Sequence, residues 1–144
     1  MKIAIYIIGG LIAVVIFLFF ILGKKSQKGT AIGLVDGTLA ACSGKPNCVS
    51  SEASTADKFS VSPITGVSLS VLKTKITELG GVVKTDTDTY FATEFTSGVF
   101  KFIDDLEVRQ DGDKIQIRSA SRVGYSDRGV NKKRVEALRV LLEK

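Results

Sequence analysis

The sequence predicts an α+β fold: an antiparallel sheet of about four or five strands with two helices on one face, plus one N-terminal transmembrane helix. Three observations predict it. A run from Ile3 to Leu22 carries no charge over twenty residues. Two later stretches place apolar residues at three- and four-residue steps, the period of a helix. Between them lie alternating, Thr-, Val- and aromatic-rich runs around an Asp-Gly turn, the pattern of paired strands.

The first run comes first in the chain. Twenty helical residues at a rise of about 1.5 Å cover roughly 30 Å, the thickness of a bilayer core. A backbone in lipid must bond to itself, which a helix achieves. The run is longer than a signal-peptide core, and "GKKSQK" follows it rather than a small-x-small cleavage site. An uncleaved anchor over residues 1–23 is therefore expected. Gly9 and Gly10 suit a close-packing face. Leu39-Ala40-Ala41-Cys42 has the look of a lipoprotein cleavage box, but sixteen residues, Asp36 among them, separate it from the apolar core.

Residues 24–38 read as a polar, glycine-spaced tether, and 39–144 as a single domain. Gly44, Pro46 and Asn47 form a turn between Cys42 and Cys48, which suits a disulfide; two reduced thiols are the alternative. "KFSVSPI" is a short extended piece ended at Pro63. From Gly66, Leu69, Leu72, Ile76 and Leu79 form a helical stripe that Gly80-Gly81 stops. "VVKTDTDTYFATEFTS" reads as two strands, with Phe91 and Phe95 on one face.

In "VFKFIDDLEVRQDGDKIQIRSASRV" an Asp111-Gly112 loop would set Val108 opposite Ile115, Leu106 opposite Ile117, Phe102 opposite Ser121 and Phe100 opposite Val123. The other face would pair Asp105 with Arg118, Glu107 with Gln116 and Lys101 with Arg122. Asp104 then falls on the apolar face near Ser119 and Ser121. A bare carboxylate is costly there, so an arginine from later in the chain, Arg128 or Arg134, is expected to pin the last helix to it. Arg118 is expected as a cross-strand partner on a solvated face, and Arg122 as solvated. "NKKRVEALRVLLEK" is the second helix, with Val135, Leu138, Leu141 and Leu142 inward and Asn131 as its cap. Lys132, Lys133 and Arg134 crowd the positive end of its dipole, which calls for solvent, a carboxylate or a bound anion.

Composition narrows the function. The net charge is +5, but Lys2, Lys24, Lys25 and Lys28 flank the apolar run, as lysines do beside anionic headgroups. Residues 29–144 hold 16 basic and 15 acidic side chains. Within them, 29–113 carry 7 basic against 12 acidic and 114–144 carry 9 against 3. That split favours internal pairing, and no basic, aromatic-rich stripe for nucleic acid is present. There is no histidine, so Ser-His and Cys-His nucleophile pairs are excluded. Two cysteines alone make no four-ligand metal site. No metal and no cofactor is expected.

"LAACSGKPNCVSSEA", "FKFIDDLEV" and "IRSASRVGYSDRGVNKKRVEALR" together resemble an uncharacterised family, domain of unknown function 1499, over most of residues 34 to 142. The resemblance implies no activity. It marks Cys42, Cys48, Asp104, Asp105, Arg118, Ser119, Ser121, Arg122, Tyr125, Asp127, Asn131 and Arg134 as family motif positions, and these are the candidate binding residues.

The functional expectation is a membrane-anchored, non-enzymatic binding or structural module of the cell envelope. Its partners would be the lipid bilayer and an anionic headgroup or an acidic protein, with no nucleic acid. The alternative is an enzyme using Asp104 or Asp127 as acid or base, with arginines holding an anionic substrate. The cysteine pair favours the exported, periplasmic side. The lysines after the run favour the cytoplasmic one.

Overall fold

The computed structural model describes residues 2–143. Helix α1 (Lys2–Gln27) stands out from the domain as a shaft. Its apolar side chains from Ile3 to Leu22 are all solvent-exposed, and only Gly23 and Ser26 are buried. It is long and apolar enough to cross a membrane. An apolar surface of this extent needs a cover that water does not provide.

The chain then folds into β1 (Leu34–Val35), β2 (Thr38–Leu39), β3 (Cys48–Ser50), a 3-10 turn at Asp57–Phe59 and β4 (Ile64–Thr65). Helix α2 (Leu69–Glu78) follows, capped by the Ser68 hydroxyl, which accepts the Val71 N–H. Next come β5 (Val82–Asp86), β6 (Tyr90–Thr96), β7 (Ile103–Asp111), β8 (Lys114–Ser121) and helix α3 (Val130–Leu142).

The main sheet has six strands, ordered β3-β8-β7-β6-β5, with β4 pairing the far end of β8. All these pairings are antiparallel. Strands β3 and β4 share one edge lane, so the sheet is five lanes wide, in line with the expected width. Both α2 and α3 pack on the expected single face. Leu72, Ile76, Val135 and Leu138 from the helices meet Phe91, Leu106, Val108, Ile115 and Ile117 from the strands.

Three sequence expectations need correction. The hairpin loop is Gly112-Asp113, and Asp111 pairs with Lys114 inside the ladder. Gly112 takes a φ of +61°, at the loop position where a type II′ turn accepts glycine. The ladder therefore slips by two residues, which preserves every side chain's face and changes every partner. Val108 faces Ile117, Leu106 faces Ser119, Asp104 faces Ser121, and Asp105 faces Ala120.

Phe100 and Phe102 do not enter the helix-covered core. They precede β7 and pack instead on Phe19 and Phe20 of α1, with ring centroids 5.1 to 6.1 Å apart.

Residues 24–38, expected as a loose tether, are bonded to the sheet. Helix α1 continues to Gln27, and Ser26 Oγ accepts the Ile103 N–H at 2.7 Å and donates to the Ile103 carbonyl at 3.3 Å. Gln27 Nε2 donates to the Lys101 carbonyl at 3.1 Å. Gly23 makes this approach possible: a Cβ there would lie 1.9 Å from the Phe100 carbonyl oxygen.

Beyond α1 the chain crosses the second face of the sheet. The Gly33 N–H donates to Glu107 Oε1 at 2.7 Å, and Leu39 packs with Tyr90 and Ala92. Both faces are thus covered.

Candidate functional site

The covered second face carries three arginines in a row, each paired with buried or half-buried carboxylates. On it, β7 presents Asp105, Glu107 and Arg109, and β8 presents Gln116, Arg118 and Ala120, at the two-residue period of strands. Arg109 grips Glu52 through Nε at 2.6 Å and Nη2 at 3.0 Å. Arg118 Nη1 donates to Glu107 Oε2 at 2.7 Å. Arg122 donates to both Asp105 oxygens, at 2.8 and 2.6 Å, and to Glu94 at 2.6 Å. The expected Asp105–Arg118 pair is therefore replaced by Asp105–Arg122 and Glu107–Arg118.

Neither arginine is solvated as expected; Arg118 is only 6 % exposed. Arg122 also donates to the Ser26 and Gly29 carbonyls, tying α1 and the segment after it to the sheet.

Electrostatics follow this packing. Burial raises the Glu94 carboxyl, but hydrogen bonds from Arg122 and Lys84 outweigh it and hold the group below the usual carboxylate range. Glu52 is likewise raised by burial and lowered further by Arg109 and the Leu39 N–H, and it ends below its ordinary value. Burial, then the Glu107 charge, push the Tyr90 phenol well above its ordinary value. Tyr90 donates its O–H to Glu107 Oε1 at 2.9 Å.

A cleft of 430 Å³ opens between the last turn of α1, the segment after it, and β8. Its wall carries Lys25, Lys45, Arg118, Arg122, Asp105 and Ser121. Four of these are basic and one is acidic. Asn47, also on the wall, accepts the Ser121 N–H through its carbonyl, at 2.9 Å. The Cys42–Cys48 disulfide is formed, with Cα atoms 5.7 Å apart, and it fixes the loop that brings Lys45 to the cleft.

The remaining candidates gather on the helix-covered face. Arg134 Nη2 donates to Asp104 Oδ2 at 2.8 Å, and the Arg134 guanidinium stacks 4.3 Å over the Phe95 ring. This is the expected pin, with Arg134 as its arginine. Ser119 Oγ donates to Asn131 Oδ1 at 2.5 Å and accepts from Arg134 Nη1 at 3.1 Å. Asn131 Nδ2 reaches Ser121 Oγ at 3.1 Å and Asp127 Oδ2 at 2.8 Å.

Asn131 is not the cap. Asp127 accepts the N–H groups of Gly129 and Asn131, both at 2.8 Å, and so supplies the carboxylate that the positive helix start calls for. A smaller cavity of 230 Å³ lies between α1 and this cluster, with Asp104 and Asp127 on its wall. Tyr125 is 72 % exposed and stands apart from both groups.

Two strand faces therefore divide the candidates: Asp105, Arg118 and Arg122 on one, Asp104, Ser119, Asn131 and Arg134 on the other. Ser121, at the end of β8, reaches both cavities. Sequence reasoning missed Glu94, Glu107, Tyr90, Lys25 and Lys45 as site residues. The available signal was the alternation of Asp105 and Glu107 on β7, matched by Arg118 on β8 and Arg122 just beyond it. Among the described residues, no group of three or more acidic or cysteine side chains is placed to hold a metal ion.

The family model of the proteins of unknown function DUF1499 matches residues 38–142, and the chain belongs to that family. The matched span holds the sheet, α2, α3, the disulfide and most of the cleft wall. No curated protein and no solved structure matches the chain.

Proposed function

We propose that the protein is a membrane-anchored, non-enzymatic binding module of the cell envelope, with its domain on the exported side and the Arg118 cleft as its ligand site. The observation that carries this reading is the shared wall of the cleft. Lys25, three residues beyond the apolar run, and Arg118, on a central strand, line the same cavity. A helix in lipid would then hold the cleft at the headgroup layer. The bonds from Ser26, Gln27 and Arg122 tie that helix to the sheet without slack, which supports the reading.

Two further features support the reading. The Cys42–Cys48 disulfide suits an oxidising compartment. The carboxylates that acid–base chemistry would use are engaged structurally, Asp127 at the start of α3 and Asp104 with Arg134.

The test uses full-length protein in its own membranes. Alkaline carbonate extraction is expected to leave the intact chain in the pellet. A Tyr125→Cys variant is expected to react with a membrane-impermeant maleimide in sealed, right-side-out vesicles. Release of the chain into the supernatant, or labelling only after detergent, contradicts the reading.

A further inference from the structure

We propose that the cleft binds a phosphate group, with Arg118, Lys45 and Lys25 as its ligands; this rests on the reading of the cleft as the binding site. Arg122 is on the wall, but its donors are already committed to Asp105, Glu94, Ser26 and Gly29. Arg118 is different. Its side chain is only 7 % exposed, it bonds Glu107 through Nη1, and its Nε has no hydrogen-bond partner.

Buried guanidinium N–H groups are nearly always bonded, so the unpartnered Nε leaves the Arg118 guanidinium under-satisfied beside the cleft that the residue lines. Glu107 cannot supply the missing acceptor alone, because its Oε1 already receives the Tyr90 hydroxyl and the Gly33 N–H. Lys25 and Lys45 add two further cations, opposed on the wall by Asp105, which Arg122 already neutralises.

With Arg118 paired to Glu107 and Arg122 to Asp105, the two lysines leave the wall positive, and a planar guanidinium and two ammonium groups on one wall match phosphate oxygens. The volume of 430 Å³ exceeds a bare ion and leaves room for a substituent such as glycerol. A phosphate on a lipid headgroup and one on a small soluble ester share this chemistry.

The test uses the full chain in nanodiscs and reads the melting temperature and the ligand-titration midpoint. Glycerol 3-phosphate, added to nanodiscs of a phosphate-free digalactosyl lipid at constant ionic strength, reports the soluble source. Replacing part of the digalactosyl lipid by phosphatidylglycerol reports the lipid source. Stabilisation in either arm, weakened at least fivefold in midpoint by Lys45→Gln with Lys25→Gln and unaffected by Lys24→Gln, supports the site. Arg118→Met is a third variant, read only if it folds.

Equal stabilisation by chloride or glutamate, no stabilisation in either arm, or an undiminished effect in the double-lysine variant overturns it. Each of those results leaves the membrane anchoring untouched, since carbonate extraction reads that separately.

Discussion

Arg118 and Glu107 face each other across β8 and β7 and meet at 2.7 Å beneath the segment that follows α1. Glu107 has no exposure at all and Arg118 has 6 %. A charge pair this deep is costly to form, and its rupture leaves a buried charge alone.

Removing only the arginine should therefore be severe. Arg118→Met is expected to destabilise the domain by about 3 kcal/mol. Adding Glu107→Gln, which keeps an acceptor for Tyr90 and Gly33, should recover part of that loss. Urea melts of the two variants check this. A double variant no more stable than the single one would show that the pair is not coupled.

The Asp104–Arg134 pair makes the second prediction. Asp104→Ala should lower stability by about 2 kcal/mol, since it strips Arg134 of its carboxylate in a part-buried site. Thermal unfolding monitored by circular dichroism reads the change. An unchanged melting temperature would mean that α3 is held by its apolar stripe alone.

The disulfide closes a short loop. Cys42→Ser with Cys48→Ser should cost about 2 kcal/mol through the freed loop entropy. It should also loosen Lys45, so the cleft should lose affinity together with stability. The two effects are read by urea melts and by the nanodisc titration.

Acid should destabilise the fold through Glu52 and Glu94. Both have folded-state values below the ordinary value of 4.5. Their contribution is present above that value and is lost as pH falls through the lower folded one. At the alkaline end, Tyr90 is raised above its ordinary value of 10.0, so its contribution is full below that pH and lost as pH rises through the higher folded value. Urea midpoints should thus be level near neutrality and fall on both sides. A midpoint that rises on acidification would contradict the ion-pair assignments.

Much of this was legible in the sequence. The stripes at Leu72 and Ile76 and at Val135 and Leu138 placed both helices, and strict alternation placed every residue of β7 and β8 on its correct face. Register was less legible, because Asp-Gly and Gly-Asp are both acceptable two-residue loops and a slip of two leaves the burial pattern unchanged.

The second face was hidden for a different reason. Asp105, Glu107 and Arg109 alternate with apolar residues just as a solvated face does. Their burial depends on residues 28–47, which have no periodicity to read. Lys25 and Lys45 join the cleft only through that crossing, and Gly23 gave no local sign of the carbonyl it admits.

The proposed anchoring sets the domain directly on the bilayer, with the loop between β6 and β7 at the depth of Phe19 and Phe20. Val99, on that loop, is 72 % exposed, and the chain contains no tryptophan. A Val99→Trp variant in lipid vesicles therefore reports one site. Blue-shifted emission quenched by brominated acyl chains is the expected result. Emission at the wavelength of a water-exposed indole, unaffected by those lipids, would contradict that placement.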